Sequence, residues 1–570
     1  MAQPARNVAS MVSYPILDLL LLTFNCAKAE INVPEFAGHL QHALSSHSLA
    51  SNTTSLPDLV VFSLQEVAPL GYAFVGSYLL SPYLRRFGEA LSLAASQAEG
   101  YQFEDEEDDD SEEIAGGEVA QAQQGQARSQ RRPKQPYHFV RHANVGMTAL
   151  LMFARDLSVI HDVEVAHCGF GVADMGNKGA VGMRISYGGS DTIPDSKHSK
   201  LTFVATHLAA MEWNVRRRNA NWRSIVASLT FGNPSNVTEQ AASVSDAAIA
   251  LGRGHQGRSH DEAASSPRSD QEEDEAEAAD AASDDAWLLL GQEQHENGVR
   301  RRLQNISIFR PDNLLFVAGD LNYRIGDQRP PAGAAFPTSR TWPDFLERDQ
   351  LTSERLAGRT FHGMSEAPIK FPPTYKYKIP SKDEIRVGVV PENNDEIEQY
   401  AGSPESEVTA STPWKYATHR WPSWCDRVLY LDVPEWVKTR WKREQQTNAT
   451  TTAAPEVKVI SYQSLPLMQT SDHQPVYFRA HVPLLPKDAY ECAEDELIMS
   501  GSEPDRPVDP RIQSPIALDT DAWARRSRAR RREVAAGAVM ILFNTKEGAA
   551  IILTTTVVLV GLYWAWAGLL

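Results

Sequence analysis

Several apolar runs in this chain stop abruptly at residues able to do chemistry. Phe24 gives way to Asn25, Val60–Leu64 opens onto Gln65 and Glu66, and Val204–Thr206 meets His207. Leu315–Ala318 ends in Gly319-Asp320-Leu321-Asn322, and later come Cys425-Asp426-Arg427 and Ser471-Asp472-His473. Polar groups at the ends of buried strands converge on one edge of a sheet, where sites usually form. Oxygen donors such as Asn25 and Glu66 suit a hard cation, and few carboxylates without a Cys/His cluster favour Mg2+ over Zn2+. An Asp beside a His fixes the imidazole tautomer and raises its basicity. None of Cys26, Cys168, Cys425 and Cys492 begins a C-x5-R loop, because the sixth residues on are Asn32, Asp174, Leu431 and Ile498. That argues against a cysteinyl-phosphate route. Each feature also has a plainer reading: a Glu after a strand is commonly a turn residue, a single His is commonly structural, and Cys425 is an ordinary buried thiol. Together they describe a metal-assisted hydrolase acting on an anionic substrate.

The elements that must position these groups are short apolar runs alternating with helix-like stretches. The runs are Leu17–Phe24, Leu59–Leu64, Thr148–Phe153, Leu201–Thr206, Leu314–Ala318, Arg427–Leu431 and Val457–Tyr462, with Ala209–Ser228 reading as a helix. Such alternation predicts an α/β sandwich of mixed sheets. Three polar segments, 95–135, 235–285 and 381–412, read as disordered surface insertions, since their compositions cannot bury enough apolar surface to offset ordering entropy. With 42% hydrophobic residues the 570-residue chain is neither wholly disordered nor fibrous. Its net charge of −18 sits in two tracts, Phe103–Glu113 and Asp261–Asp285, and the rest is close to neutral. The balance argues against a generic nucleic-acid binder and says little about the site.

Ala549–Leu570 is a run of 22 residues without a charge, about 33 Å of helix and enough to span a bilayer core. Tyr563, Trp564 and Trp566 suit an interfacial belt, and Arg525, Arg526, Arg528, Arg530, Arg531 and Arg532 precede the run. The positive-inside rule then predicts a tail anchor with the large N-terminal part in the cytosol. Val534–Phe543 is apolar but too short to span, and reads as an interfacial segment.

Beyond these physical readings the chain resembles the inositol polyphosphate 5-phosphatase family. The resemblance rests on nine motifs in order: Phe24-Asn25, Leu64-Gln65-Glu66, Gly176-Asn177-Lys178-Gly179, Thr206-His207-Leu208-Ala209-Ala210, Arg218-Asn219, Gly319-Asp320-Leu321-Asn322-Tyr323-Arg324, the segment Phe371–Tyr377, the segment Pro422–Leu429, and Ser471-Asp472-His473-Gln474-Pro475-Val476. It implies a deoxyribonuclease-like endonuclease/exonuclease/phosphatase sandwich of two mixed sheets flanked by helices. The domains expected are an N-terminal tail (1–14), a catalytic domain (15–485), a polar and basic linker (486–533), an apolar juxtamembrane segment (534–548) and a transmembrane anchor (549–570).

The same resemblance implies Mg2+-dependent removal of the 5-phosphate from inositol lipids or soluble inositol phosphates by direct attack of water. Glu66 with Asn25 is then the metal site, helped by Asp472. Asp320 and Asn322 position and activate the water. His473, oriented by Asp426, contacts the scissile phosphate or assists proton transfer, and His207 and Asn177 are further phosphate contacts. Tyr375, Lys376 and Arg427 are implied contacts of the neighbouring 4-phosphate, and Lys178 adds positive charge. One departure is Met211, where many members place a second His; Arg216, Arg217 and Arg218 follow, either a solvated face or contacts for lipid headgroups. An anchored enzyme meets lipid at high effective concentration, so the expected substrate is phosphatidylinositol 4,5-bisphosphate and the expected partners are that lipid and the membrane, with no nucleic acid. The anchor on a single catalytic domain resembles the fungal endoplasmic-reticulum branch of the family. The competing readings are a Mg2+-dependent nuclease or sphingomyelinase of the same fold, and an inactive phosphoinositide-binding scaffold.

Overall fold

In the computed structural model the apolar runs are strands, and all but the half-exposed edge strand at Val457–Tyr462 are buried almost throughout. The structure describes residues 14–45, 56–99, 136–189, 198–241, 296–338, 340–379, 415–448, 453–491, 508–567 and 569. The first strands are β1 (Ile16–Asn25), β2 (Leu59–Gln65), β3 (His138–Val145), β4 (Thr148–Ala154), β5 (Ile160–Gly169) and β6 (Gly179–Tyr187). They are followed by β7 (Ser199–His207), β8 (Asn313–Asp320), β9 (Asp426–Leu431), β10 (Lys458–Ser464) and β11 (Val476–Pro483). The helices used below are α1 (Val33–Ser45), α2 (Leu70–Val75), α3 (Ser81–Ala98), α4 (Val215–Ser228), α5 (Gln350–Leu356), α6 (Glu435–Asn448), α7 (Ala522–Asn544) and α8 (Lys546–Ala567).

One sheet runs β10-β11-β1-β2-β4-β3 and the other β5-β6-β7-β8-β9. Alternate residues of the central strands, such as Leu19 and Leu21 of β1 and Leu314 and Phe316 of β8, fill the space between the sheets. The other alternate set of β1, including Leu20 and Leu22, packs under Phe36 of α1 and Phe87 of α3. Likewise Leu315 and Val317 of β8 pack under Trp222 and Ile225 of α4. Burial on both faces is why these strands read as continuous apolar runs rather than alternating ones. Each fully buried large side chain contributes about 1.5–3 kcal/mol. Ser63 Oγ donates across the sandwich to the Ala318 carbonyl at 2.9 Å, tying β2 to β8 directly.

Several expectations need adjustment. Residues 95–98 belong to α3, Glu99 caps it and 235–241 are helical, while the rest of the three expected insertions lies outside the described residues. The helix expected from Ala209 begins only at Val215, because residues 208–214 form a turn held by Arg218. The expected linker is ordered where described: Gln304 Nε2 donates to the Pro510 carbonyl at 2.9 Å, and the Asp519 amide donates to Ala227 O at 2.9 Å. The Arg-rich stretch is helix α7, whose Ala522, Ala529, Glu533 and Gly537 are buried along one side. Thr545, with extended backbone, separates α7 from α8. Helix α8 is long and apolar enough to cross a membrane.

Candidate active site

Register brings the polar strand ends together. β1 and β2 are parallel, with Asn25 opposite Gln65, and β7 and β8 are parallel, with His207 opposite Asp320. β9 runs antiparallel to β8, so it contributes its first residue, Asp426, opposite Asp320. β11 runs antiparallel to β1, so the residues just before it, including His473, arrive at the same edge. Parallel strands thus deliver C-terminal ends and antiparallel strands N-terminal ends. Two residues turn the chain there with left-handed backbone, Glu66 at φ +46° and Asn322 at φ +58°, a conformation Asn adopts more readily than most residues. A Cβ on Gly319 would lie 1.9 Å from the Thr206 carbonyl, so glycine is required where β7 and β8 approach.

Asp320 is the hub. Its Oδ2 accepts from Asn25 Nδ2 at 3.0 Å and lies 3.2 Å from His207 Nε2 and 3.9 Å from His473 Nε2. Its Oδ1 accepts the Asn322 amide at 3.1 Å. His473 Nδ1 pairs with Asp426 Oδ2 at 2.9 Å, and that oxygen also accepts Thr374 Oγ1 at 2.7 Å. Lys178 Nζ contacts His207 Nε2. The segment 371–377 is threaded between two other motifs by bridges from Tyr375 to Ser423 and to His473. The Tyr375 ring lies 4.4 Å from the His473 ring, and the Arg324 guanidinium lies 4.2 Å from the Tyr375 ring centroid.

Electrostatics sets the two histidines apart. Burial pushes His207 down and the neighbouring Lys178 adds to it, against Asp320 and Glu66, so the ring is neutral near pH 7. Burial also opposes charge on His473, but Asp426, Asp320 and Asp472 outweigh it and raise its pKa to about 9. Burial alone would raise Asp320, yet the hydrogen bond with His207 and the charges of His473 and Lys178 hold it well below the usual carboxylate range. Lys178 is lowered to about 8, by burial first and then by Arg324 and Lys28, against the pull of Asp320 and Glu66. One carboxylate therefore faces a neutral imidazole on one side and an imidazolium on the other.

The remaining expected residues sit at varied distances from this hub. Glu66 pairs with Lys28 at 2.9 Å, and Asp472 pairs with Lys376. Asn177 is exposed on the turn beside Lys178. Arg427 does not reach the cleft. It is 0% exposed and is held by Glu366 Oε1 at 2.6 Å and Oε2 at 2.7 Å and by both Asp349 oxygens at 3.1 Å. Alternation along β9 explains this: Asp426 faces the site, so its neighbour faces away. Arg427→Ala leaves two buried carboxylates uncompensated, and thermal melts should show a loss of about 3–5 kcal/mol. Arg218 is also buried, donating to the carbonyls of Ala209 at 3.2 Å and Met211 at 2.6 Å, whereas Arg216 and Arg217 are exposed.

Reading the sequence missed Lys28, Thr374, Arg324 and the Glu212–Arg420 pair. Arg324 is buried and contacts the Asn322 carboxamide through Nη2. Its place inside the motif that holds Asp320 and Asn322 was the available signal. Glu212 is 0% exposed and binds Arg420 Nη1 at 2.7 Å. Burial first, then Lys376, Arg420 and Arg329, lower the pKa of the rim residue His419, against the pull of Glu212.

The donor set fits a hard divalent cation. Asp320, Asp426 and His473 each offer a ligand atom within 4.8 Å of the others, and all three are buried. Asp426 Oδ1 is buried without a hydrogen-bond partner. With His473 protonated, the ligand atoms on offer are the oxygens of Asp320 and Asp426 together with those of Asn25 and Glu66 at the adjoining strand ends, and no described cysteine takes part.

The description "Endonuclease/Exonuclease/phosphatase family 2" matches residues 22–479. A type II inositol polyphosphate 5-phosphatase, number 14 of Arabidopsis thaliana, is 27% identical over 332 residues, 57% of this chain and 21% of the relative. A type I inositol polyphosphate 5-phosphatase, number 13 of the same plant, is 27% identical over 324 residues, again 57% of this chain and 21% of the relative. The match thus spans about a fifth of the length of these relatives. Among solved structures, the inositol polyphosphate 5-phosphatase domain of SPsynaptojanin, in complex with inositol (1,4)-bisphosphate and calcium ion, aligns at TM-score 0.43 and 18% identity, covering 86% of this chain and 94% of that one. With a family description matching most of its length and a sandwich of two mixed sheets flanked by helices, the chain belongs to endonuclease/exonuclease/phosphatase family 2.

Proposed function

We propose that the chain is a Mg2+-dependent phosphoinositide 5-phosphatase that converts phosphatidylinositol 4,5-bisphosphate to phosphatidylinositol 4-phosphate and inorganic phosphate. Support comes from the relatives, which carry the name inositol polyphosphate 5-phosphatase. The observation that carries the mechanism is the Asp320 carboxylate flanked by a neutral His207 and a protonated His473. Asp320, fixed by the amides of Asn25 and Asn322, orients the attacking water and takes its proton. His473, held by Asp426, donates a hydrogen bond to a phosphoryl oxygen, His207 stabilises charge that grows there, and Lys178 holds the phosphate as a point charge. Asn177 is a further contact of the same phosphate. Lys376 and Tyr375, with Arg420 on the rim, supply contacts for a neighbouring phosphate, since Lys and Arg both serve anionic groups. Mg2+, held by Glu66 and Asn25 with help from Asp472, would supply Lewis-acid neutralisation of phosphoryl charge.

Helix α8, preceded by six arginines within residues 525–532, supports anchoring with the catalytic domain on the cytosolic side. The endoplasmic reticulum is the membrane we assign. Anchoring raises the effective concentration of lipid over soluble substrate.

The test is phosphate release by the full chain in detergent micelles, with Mg2+ or EDTA. Phosphatidylinositol 4,5-bisphosphate, the 3,4,5-trisphosphate and soluble inositol 1,4,5-trisphosphate are compared. Release that needs Mg2+ and is greatest on the 4,5-bisphosphate is expected. No release from any of the three by folded protein would overturn the assignment and leave a phosphoinositide-binding scaffold. A preference for the soluble compound would overturn the lipid assignment alone.

A further inference from the structure

Helix α7 is joined to the catalytic domain at two places that flank the site. Its Glu533 is 0% exposed, and Oε1 accepts the Gly176 amide at 2.7 Å. The same carboxylate pairs with Arg526, whose Nη2 donates to Oε2 at 2.9 Å, and lies 3.5 Å from Arg530 Nη1. Arg525 Nε lies 3.4 Å from Asp174 Oδ2, and Arg526 Nη1 donates to the Asp174 carbonyl at 3.4 Å. These contacts grip the turn between β5 and β6 immediately before Asn177 and Lys178. The second junction is α2, four residues beyond Glu66. Arg530 Nη2 donates to the Val75 carbonyl at 3.0 Å, and a Cβ on Gly537 would lie 2.8 Å from the Gly71 carbonyl. The two helices therefore touch backbone to backbone, which only glycine permits.

A buried carboxylate is costly unless paired and hydrogen-bonded. Glu533 is the one acid among the residues of α7, and it is spent on a backbone amide of another element. A helix serving only as a tether to the membrane needs no such group. We propose that α7 is a positioning element of the active site. Through Glu533 it fixes the Gly176 amide, and so the turn that presents Asn177 and Lys178 to the scissile phosphate. This rests on the reading of those two residues as phosphate contacts.

The experiment uses the full chain in detergent and soluble inositol 1,4,5-trisphosphate, so that orientation at a membrane plays no part. Glu533→Ala removes the acceptor, Glu533→Asp withdraws it by one methylene while keeping charge for Arg526, and Glu533→Gln retains an oxygen for the Gly176 amide. KM and kcat are read separately, beside amide exchange across residues 174–179. Glu533→Ala and Glu533→Asp should each raise KM about tenfold, with kcat changed less than about threefold, as expected for lost ground-state phosphate contacts. Exchange should quicken at Gly176–Lys178 in both variants, and Glu533→Gln should stay within about threefold of wild type, since the bond to the amide persists. Should Glu533→Ala fail to fold, Glu533→Asp and Glu533→Gln carry the comparison. Unchanged KM and exchange in Glu533→Asp, or equal losses in the Asp and Gln variants confined to melting temperature, would overturn the proposal. If wild type releases no phosphate while exchange still follows Glu533, the bracing stands and the phosphatase reading fails.

Discussion

Asp320→Ala is expected to lower kcat for phosphate release by about 10^4-fold, the upper end for a positioned acid–base group. The side chain is the one to which Asn25, the Asn322 amide, His207 and His473 are all directed. No other described carboxylate lies where it could replace this one: Asp426 is engaged by His473 and Thr374, and Glu66 by Lys28. Asp320→Asn tests charge apart from shape. It keeps an oxygen for the Asn322 amide but removes the anion that holds Lys178 and His473 charged, so its kcat should fall by about 10^3-fold or more. Single-turnover phosphate release, with circular dichroism to show retained fold, checks both variants. Activity within tenfold of wild type in either variant would remove Asp320 from the reaction.

The second large effect belongs to the His473–Asp426 pair. Asp426→Asn should lower kcat by about 10^2–10^3-fold, because the imidazole loses the partner that orients it and keeps it protonated. The pair also writes a pH signature on stability. In the metal-free protein the His473 pKa is raised to about 9, above an ordinary value of about 6.5. A group raised on folding stabilises fully below its unfolded value and loses that contribution as pH climbs through the folded value. The stabilisation, on the order of 3 kcal/mol, is therefore present at pH 6 and fades between about pH 6.5 and 9. Melting of the EDTA-treated chain should fall across that window, and Asp426→Asn should flatten the fall. An identical slope in wild type and variant would show that the pair does not hold the proton.

Much of this arrangement was legible before any coordinates. Strands β1, β2, β7 and β8 announce themselves because they are buried on both sheet faces, and Asn25, His207 and Asp320 mark strand ends. The strands β3, β5, β6 and β11 were not legible. β3 and β5 lie at the edges of their sheets, where exposed alternate residues dilute the apolar signal, whereas β6 and β11 are interior strands whose apolar runs are broken by Arg184 and Ser186 and by Arg479 and His481. Asp18 broke an apolar run for a reason found elsewhere in the chain, the buried Arg479 on β11, whose Nη2 lies 2.7 Å from Asp18 Oδ2. Arg427 was misread as a substrate contact although strand alternation from Asp426 already turned it away from the cleft. The roles of Lys28 and Arg324 depend on chain turns that bring them back to the hub, and no local periodicity encodes such a return.

The extended residue Thr545 has a practical consequence for anyone seeking a soluble form of this protein, or for a protease that would release one. A cut before Ala522 would discard a structural part along with the membrane segment, baring the α2 surface around Gly71 and Phe74 and removing the acceptor of the Gly176 amide. The boundary that spares the folded body falls at Thr545, between the two helices. Even there the product would keep Val539 at 55% and Phe543 at 70% exposure. A released form would thus carry an adhesive end, free of the bilayer in covalent terms yet still prone to return to it.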